Sequence, residues 1–314
     1  MDIPSSWRYL PTDSLTGVIL IVGAADTGKS TLARYLYDQL AAAGRRGAFL
    51  DGDPGQSTLG PPATMTLALG ENVIARSGLC DEAIPCDEGD CFAKTARNDV
   101  AGLPPVWTVY RWFVGATSPR GHTLPVIVGA GRLVEAARAA GADAVVYDTS
   151  GLVDPAQGGL DLKLAKIDLL RPAAVIAIQR EDELEPLLAP LRRSQRTRLF
   201  ELIPSPAVTR RDAITRREHR AAQFGRYFAG AGLLDVDFSR LAVFPEPNFA
   251  FNQLIALDDA AGFTRGLGIV RQADLGAWQA TLLTPLASLA DVDALRLGDL
   301  AVEPWTWRDQ RVES

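Results

Sequence analysis

The residues best suited to chemistry stand near the start of the chain. Gly23-Ala24-Ala25-Asp26-Thr27-Gly28-Lys29-Ser30-Thr31 carries the spacing Gly-x4-Gly-Lys-Ser between an apolar run and a helical pattern. That context is the one in which such a loop cradles phosphates. The glycines let backbone N–H groups converge on phosphate oxygens, and the helix N-terminus adds a favourable dipole. Lys29 is placed to reach the β- and γ-phosphates as a point charge, and the Ser30 hydroxyl to ligate Mg²⁺. ATP or GTP is the expected ligand. The guanine-reading Asn-Lys-x-Asp string is absent, and so is a second lysine just upstream in the loop. A GTPase and a dimeric partitioning ATPase are thereby disfavoured. Asp51-Gly52-Asp53-Pro54-Gly55-Gln56 follows at the end of the next apolar run. A carboxylate there lies near the γ-phosphate, where Asp53 could hold metal-bound water or take a proton from an attacking hydroxyl. The alternative is an Asp that caps a Pro-Gly turn.

Charge is unevenly spread. The chain carries a formal −6, yet Arg192 to Arg226 holds ten arginines against Glu201, Asp212 and Glu218. A polyanion is expected to sit on that stretch; a solvated basic helix is the plainer reading.

The elements that must position these residues follow from apolar periodicity. Residues 16–24 read as a buried strand, 32–44 as a helix stopped by Gly44, and 47–53 as a second strand: a βαβ unit. The rhythm repeats with helices near 131–142 and 160–172, strands near 142–151 and 172–179, a short helix at 184–191 and a strand at 196–202. This predicts an α/β fold with a mostly parallel sheet, helices on both faces, and ligands at the strand carboxyl ends. From Gly232 the chain turns to short β-like runs with Gly, Asp and Pro turns. The expected organisation is an arm (1–15), a P-loop domain (16–231, with a lid at about 205–228) and a small β-rich domain (232–314).

Bulk properties agree with an ordinary globular protein: 47% of residues are hydrophobic. No apolar run reaches the roughly 18 residues of a membrane span, and MDIPSSWRYLP lacks a signal-peptide layout. A cytoplasmic protein with no membrane partner is the expectation. Cys80, Cys86 and Cys91 match no common zinc spacing, and His122 and His219 are too scattered for a metal site. Trp7 is expected to cap the sheet.

Taken together, GAADTGKST and DGDPGQST resemble the polynucleotide 5′-hydroxyl kinase family, which includes the ATP-binding subunit of the mRNA 3′-end cleavage factor and the pre-ribosomal-RNA-processing kinase. Phe113-Val114-Gly115-Ala116-Thr117-Ser118-Pro119 resembles the family's F-x-G-x-x-S-P segment, and Asp148-Thr149-Ser150-Gly151 its T-x-G clasp. Arg211-x4-Arg216-x3-Arg220 resembles its arginine-bearing lid helix, and GLGIV and LTP its C-terminal β part. The resemblance implies Asp53 as the base and as a metal residue beside Ser30. It implies Arg216 and Arg220, which share a helical face at i and i+4, as charge on the transferring phosphoryl group, and Arg211 as a phosphate contact. Gln56, Thr117, Ser118, Pro119, Thr149, Ser150 and Gly151 become the substrate surface. Two departures stand out. Leu152 occupies the place where many members carry Trp, and the N-terminal β-domain of eukaryotic members has no counterpart in residues 1–15.

The implied function is ATP- and Mg²⁺-dependent transfer of the γ-phosphate to the 5′-hydroxyl of RNA, DNA or both. A non-catalytic ATP-binding scaffold is less consistent with Asp53 and the lid arginines. A small-metabolite kinase is less consistent with the long arginine lid and the T-x-G strand end.

Overall fold

The computed structural model describes residues 4–70 and 108–312; Cys80, Cys86 and Cys91 lie outside them. In chain order, β1 (Gly17–Gly23), α1 (Lys29–Ala42), β2 (Gly47–Gly52), β3 (Thr64–Leu69), β4 (Thr108–Phe113), α2 (Thr123–Ala139), β5 (Ala144–Thr149), α3 (Gly159–Leu170), β6 (Ala174–Ile178), α4 (Glu185–Arg192), β7 (Arg198–Leu202) and α5 (Ala213–Tyr227) come first. The first sheet runs β4-β3-β2-β5-β1-β6-β7. From β2 to β7 every pairing is parallel, while β3 and β4 add an antiparallel edge.

Near-continuous apolar strands such as GVILIVG follow from burial on both faces. Ile19, Ile21, Phe49 and Val146 face α1. Val18, Leu20, Leu50 and Tyr147 face α2, α3 and α4. Trp7 is buried with Tyr35 of α1, 5.9 Å between ring centroids; it caps the helical layer. The chain leaves β1 toward β2 on one side and leaves β5 toward β6 on the other. This reversal opens a crevice at the strand carboxyl ends.

A second sheet follows: β8 (Gly232–Asp237), β9 (Ala242–Phe244), β10 (Gln253–Asp258), β11 (Thr264–Asp274), β12 (Gln279–Thr284), β13 (Ala294–Val302) and β14 (Asp309–Arg311). Its order is β14-β13-β10-β11-β12-β8, with β9 pairing β13. Phe224, Tyr227 and Phe228, at the carboxyl end of α5, are buried with Phe113, Leu254, Leu267 and Leu300. The helix is thus rooted in the second sheet by its last turn. Asp212 caps the other end, accepting from Thr215 N at 2.7 Å, so residues 205–212 precede the helix and are not part of it.

The basic stretch is not one surface. Arg192 is locked between Glu185 and Glu201 at 2.6 Å from each. Arg198 starts β7 and lies over the Phe200 ring. Arg198 stands at the amino end of β7, whereas Arg192 is held by the first residue of α4 and the next-to-last residue of β7. The arginines of residues 210–226 belong to α5 and the segment before it.

Candidate active site

The phosphate loop is set by backbone shape. Gly28 has φ +90°, which glycine adopts without strain, and Asp26 has φ +53°. A Cβ on Gly23 would stand 2.6 Å from Ile178 O, so β1 must end in glycine to lie this close to β6. Lys29 opens α1, buried, and its Nζ donates to Ala24 O at 2.6 Å. Burial holds its pKa below the ordinary lysine value, against the pull of Asp148, Asp53 and Asp26. Thr27 Oγ1 also donates to Ala24 O, at 3.0 Å. Arg180, just past β6, donates to Ala25 O at 3.3 Å and to Asp26 O; it braces the loop from outside.

On the neighbouring strands, Asp51 and Asp148 stand in register, so their carboxyls share one face. Asp51 is engaged structurally: its Oδ2 accepts from Thr58 N at 2.6 Å and Leu59 N at 3.0 Å. Asp148 differs. Its Oδ1 is buried without a hydrogen-bond partner. Burial, then the Asp51 charge, push its pKa up to about 7, while Lys29 and the Ser30 hydroxyl pull the other way. An unsatisfied carboxylate oxygen beside Ser30 suits a hard divalent cation, which prefers oxygen ligands.

Of the two parts that the sequence left open for Asp53, the turn cap is the one its hydrogen bonds show. Its Oδ1 caps the Pro-Gly turn, accepting from Gly55 N at 2.9 Å and Gln56 N at 3.1 Å. Its Oδ2 has no hydrogen bond among the described residues. Gln56 donates to Gly55 O at 2.7 Å and to Arg216 O at 3.4 Å. Gly55 lies so close to the Thr117 carbonyl that a Cβ would stand 2.3 Å from it. The Asp53 turn and the Thr117-Ser118-Pro119 segment therefore form one wall. Ser118 is exposed and Pro119 buried.

At the clasp, the Thr149 hydroxyl is committed inward. It donates to Ile21 O at 2.7 Å and accepts from Lys163 Nζ at 2.9 Å. A substrate would meet the clasp through its backbone, not through this hydroxyl. Gly151 packs on the phosphate loop, where a Cβ would stand 2.7 Å from Ala25 N and Cα. Ser150 Oγ is buried and unpaired. Beneath lie two residues that the sequence reading passed over, Lys163 and Lys166, both fully buried. Lys163 also donates to Ser150 O at 2.5 Å, and burial drives its pKa well below the usual lysine value. Lys166 has no hydrogen-bond partner, sits 4.7 Å from the Tyr147 ring centroid, and is pushed by burial to a pKa of about 7.

Helix α5 and the segment before it touch both the phosphate loop and the Asp53 turn. Arg216 Nη2 meets Asp26 Oδ2 at 2.5 Å, and Arg211 N donates to the same oxygen at 3.2 Å. His219 Nε2 and Gln223 Nε2 lie 3.3 Å from Ser57 O. Arg220 departs from the expectation of two arginines closing on one phosphoryl group. It pairs with Asp309 of β14 at 2.9 Å, both largely buried. Sharing a helical face does not bring the two guanidiniums together, because one turn of rise separates them and each finds its own carboxylate.

The chain is similar to several known proteins. The chain is 28% identical over 225 residues to a polyribonucleotide 5′-hydroxyl-kinase of Methanocaldococcus jannaschii, covering 72% of this chain and 54% of the relative. It is 24% identical to one of Pyrococcus horikoshii, covering 96% and 91%. A chain in the solved wild-type Clp1p–Pcf11p complex has the same fold, with a TM-score of 0.66 at 14% identity over 93% of this chain and 76% of that one. The model of the mRNA cleavage and polyadenylation factor CLP1 P-loop family matches residues 23–230, about two thirds of the sequence, and the chain belongs to that family.

Proposed function

We propose that this protein is an ATP-dependent polynucleotide 5′-hydroxyl kinase. The observation that carries the reading is Asp53. One oxygen is fixed by the turn, and the other is uncommitted within electrostatic reach of Lys29. A carboxylate oriented in this way can accept a proton from a hydroxyl placed opposite the phosphate loop. The names of the curated relatives supply the acceptor class.

In the proposed reaction the 5′-hydroxyl oxygen attacks the γ-phosphorus, the bond to the bridging oxygen of ADP breaks, and the hydroxyl proton passes to Asp53. Lys29, freed from Ala24 O, holds the β- and γ-phosphates. The N–H groups of residues 24–31 bind the phosphate chain. Ser30, Asp53 and Asp148 would hold Mg²⁺, which when bound offsets phosphate charge. Arg216 is the lid arginine nearest the phosphate loop and would exchange Asp26 for phosphate oxygens. Arg211 offers an exposed guanidinium beside it. Gln56, Thr117 and the backbone of 149–151 would flank the acceptor end. Arg220 serves as a positioning residue through Asp309.

The test is incubation of the purified chain with γ-labelled ATP and matched 5′-hydroxyl RNA and DNA oligonucleotides. Label should appear at the 5′ end, and Lys29→Ala should abolish it without unfolding the protein. ATP binding with no labelled product from either oligonucleotide would favour a scaffold instead.

A further inference from the structure

We propose that the loop between β13 and β14, with the adjoining start of β10, is a stacking platform for the single-stranded body of the polynucleotide, beyond its reacting 5′ end. This rests on the kinase reading above, and the test separates the two.

Trp305 is 85% exposed and Phe251 65%. Neither belongs to the buried clusters of the second sheet, in one of which Phe113, Phe224, Tyr227 and Phe228 pack against its strands. Hydrogen bonds draw the two rings into one region. Asn252, next to Phe251, donates to Glu303 Oε2 at 3.0 Å, and Trp305 lies two residues past Glu303. Arg271 stands over the Phe251 ring, 4.7 Å from its centroid, and donates to Asn252 Oδ1. Arg308, exposed, closes the same loop. Aromatic faces interleaved with guanidiniums suit a single strand: every base has a face to stack, and every linkage carries a negative charge.

The platform is also joined to the active site. Trp307 stacks on Phe228 at the end of α5, 5.7 Å between centroids and 1° between planes, and Asp309 pairs with Arg220. At the other end of α5, Arg216 holds the phosphate loop. Helical rise separates Arg216 from Gly225, which abuts Trp307, by roughly 14 Å. That is about four stacked nucleotides at 3.4 Å each. On the opposite wall, Asp299 N of β13 donates to Gly115 O at 2.9 Å, two residues before Thr117. A strand whose 5′ end lies at Asp53 therefore has a bounded path toward β13 and its following loop. The clasp itself offers only the aliphatic Leu152 for base contact.

The experiment compares 5′-hydroxyl single strands of 3 and 15 nucleotides sharing their 5′ sequence, with wild type, Trp305→Ala, Trp305→Phe and Phe251→Ala. Losing a stacked base should raise KM for the 15-mer by about 5- to 150-fold. KM for the 3-mer, KM for ATP and kcat should stay within about twofold, and Trp305→Phe should retain most of the long-strand affinity. Equal KM in wild type and Trp305→Ala with the 15-mer, or an equal rise with both lengths, overturns the platform. Should wild type phosphorylate neither strand, the kinase reading fails on its own. Anisotropy with a labelled 15-mer then decides the platform. Weaker binding by Trp305→Ala supports it; unchanged binding assigns the exposed rings to another partner and overturns it.

Discussion

Asp26→Asn should loosen the lid at one end only. In the structure the amino-terminal half of α5 and the segment before it are tied to the phosphate loop chiefly by Asp26, through Arg216 at 2.5 Å and Arg211 N at 3.2 Å. The other ties, Gln56 at 3.4 Å and His219 and Gln223 at 3.3 Å, are long. A charge-assisted hydrogen bond contributes about 1.5–3 kcal/mol. The Arg216 side chain is 35% exposed and Asp26 16%, so solvent screening brings the estimate to about 1–2 kcal/mol. That is roughly 5- to 30-fold in the closed-to-open equilibrium of the lid. The assay is hydrogen exchange, comparing peptides covering residues 205–219 with peptides covering 222–228. Exchange in the first set should quicken by that factor in the nucleotide-free variant. The second set should not change, because Phe224, Tyr227 and Phe228 remain buried in the second sheet. Adding ATP should shrink the difference, since phosphate offers Arg216 another anion. Unchanged exchange at 205–219, or a rise extending through 228, refutes the latch.

Three further outcomes follow from the site. Asp53→Asn keeps an oxygen for the turn but removes the proton acceptor, so kcat should fall by about 10²- to 10⁴-fold with ATP affinity retained; equilibrium binding beside single-turnover kinetics checks it. Gly151→Ala sets a Cβ 2.7 Å from backbone atoms of Ala25, and should lower kcat/KM by at least about tenfold by shifting the clasp against the phosphate loop, given that a 1 Å misplacement costs about 10²-fold. Steady-state rates that match wild type would mean the contact relaxes freely. Lys166→Met should stabilise the fold. The Lys166 pKa of about 7 lies below its unfolded value of 10.5, so the unfolded chain binds more protons between those pH values. The penalty is full below about pH 7 and fades as pH rises toward 10.5, so the variant should gain of order a few kcal/mol near neutrality. Urea midpoints at pH 7 and pH 10 should show that gain narrowing; a constant gap, or a loss at pH 7, contradicts it.

The phosphate loop was legible because its signal is local: glycine spacing, Lys29 and Ser30 between a strand and a helix fix backbone shape without distant help. The parallel core was legible for the same reason, since burial on both faces leaves continuous apolar runs. Thr64–Leu69 and Thr108–Phe113 escaped notice. Each becomes a strand by pairing with its neighbour at the sheet edge, and that is a distant partner's doing. The buried lysines did leave a trace. Leu160, Lys163, Ile167 and Leu170 recur at helical spacing on one stripe of α3, so Lys163 sits where an apolar residue is the rule. A lysine on an apolar stripe beside a strand-end polar motif is a signal for a buried polar contact. The partners of Arg216 and Arg220 left no such trace, because Asp26 and Asp309 are 190 and 89 residues away in sequence.

The buried charges also explain how a short clasp keeps its shape. Ser150 O and the Thr149 hydroxyl both receive Lys163 Nζ, so the backbone of residues 149–151 is gripped from below while Gly151 presses on Ala25 from above. Burying an ammonium group is unfavourable unless it is well paired. Lys163 has two acceptors and fixes the turn; Lys166 has none and is driven toward its neutral form. A strand end held only by ladder hydrogen bonds would fray, and its N–H groups would point variably. Held by Lys163, it presents a fixed backbone edge between the phosphate loop and the Asp53 turn.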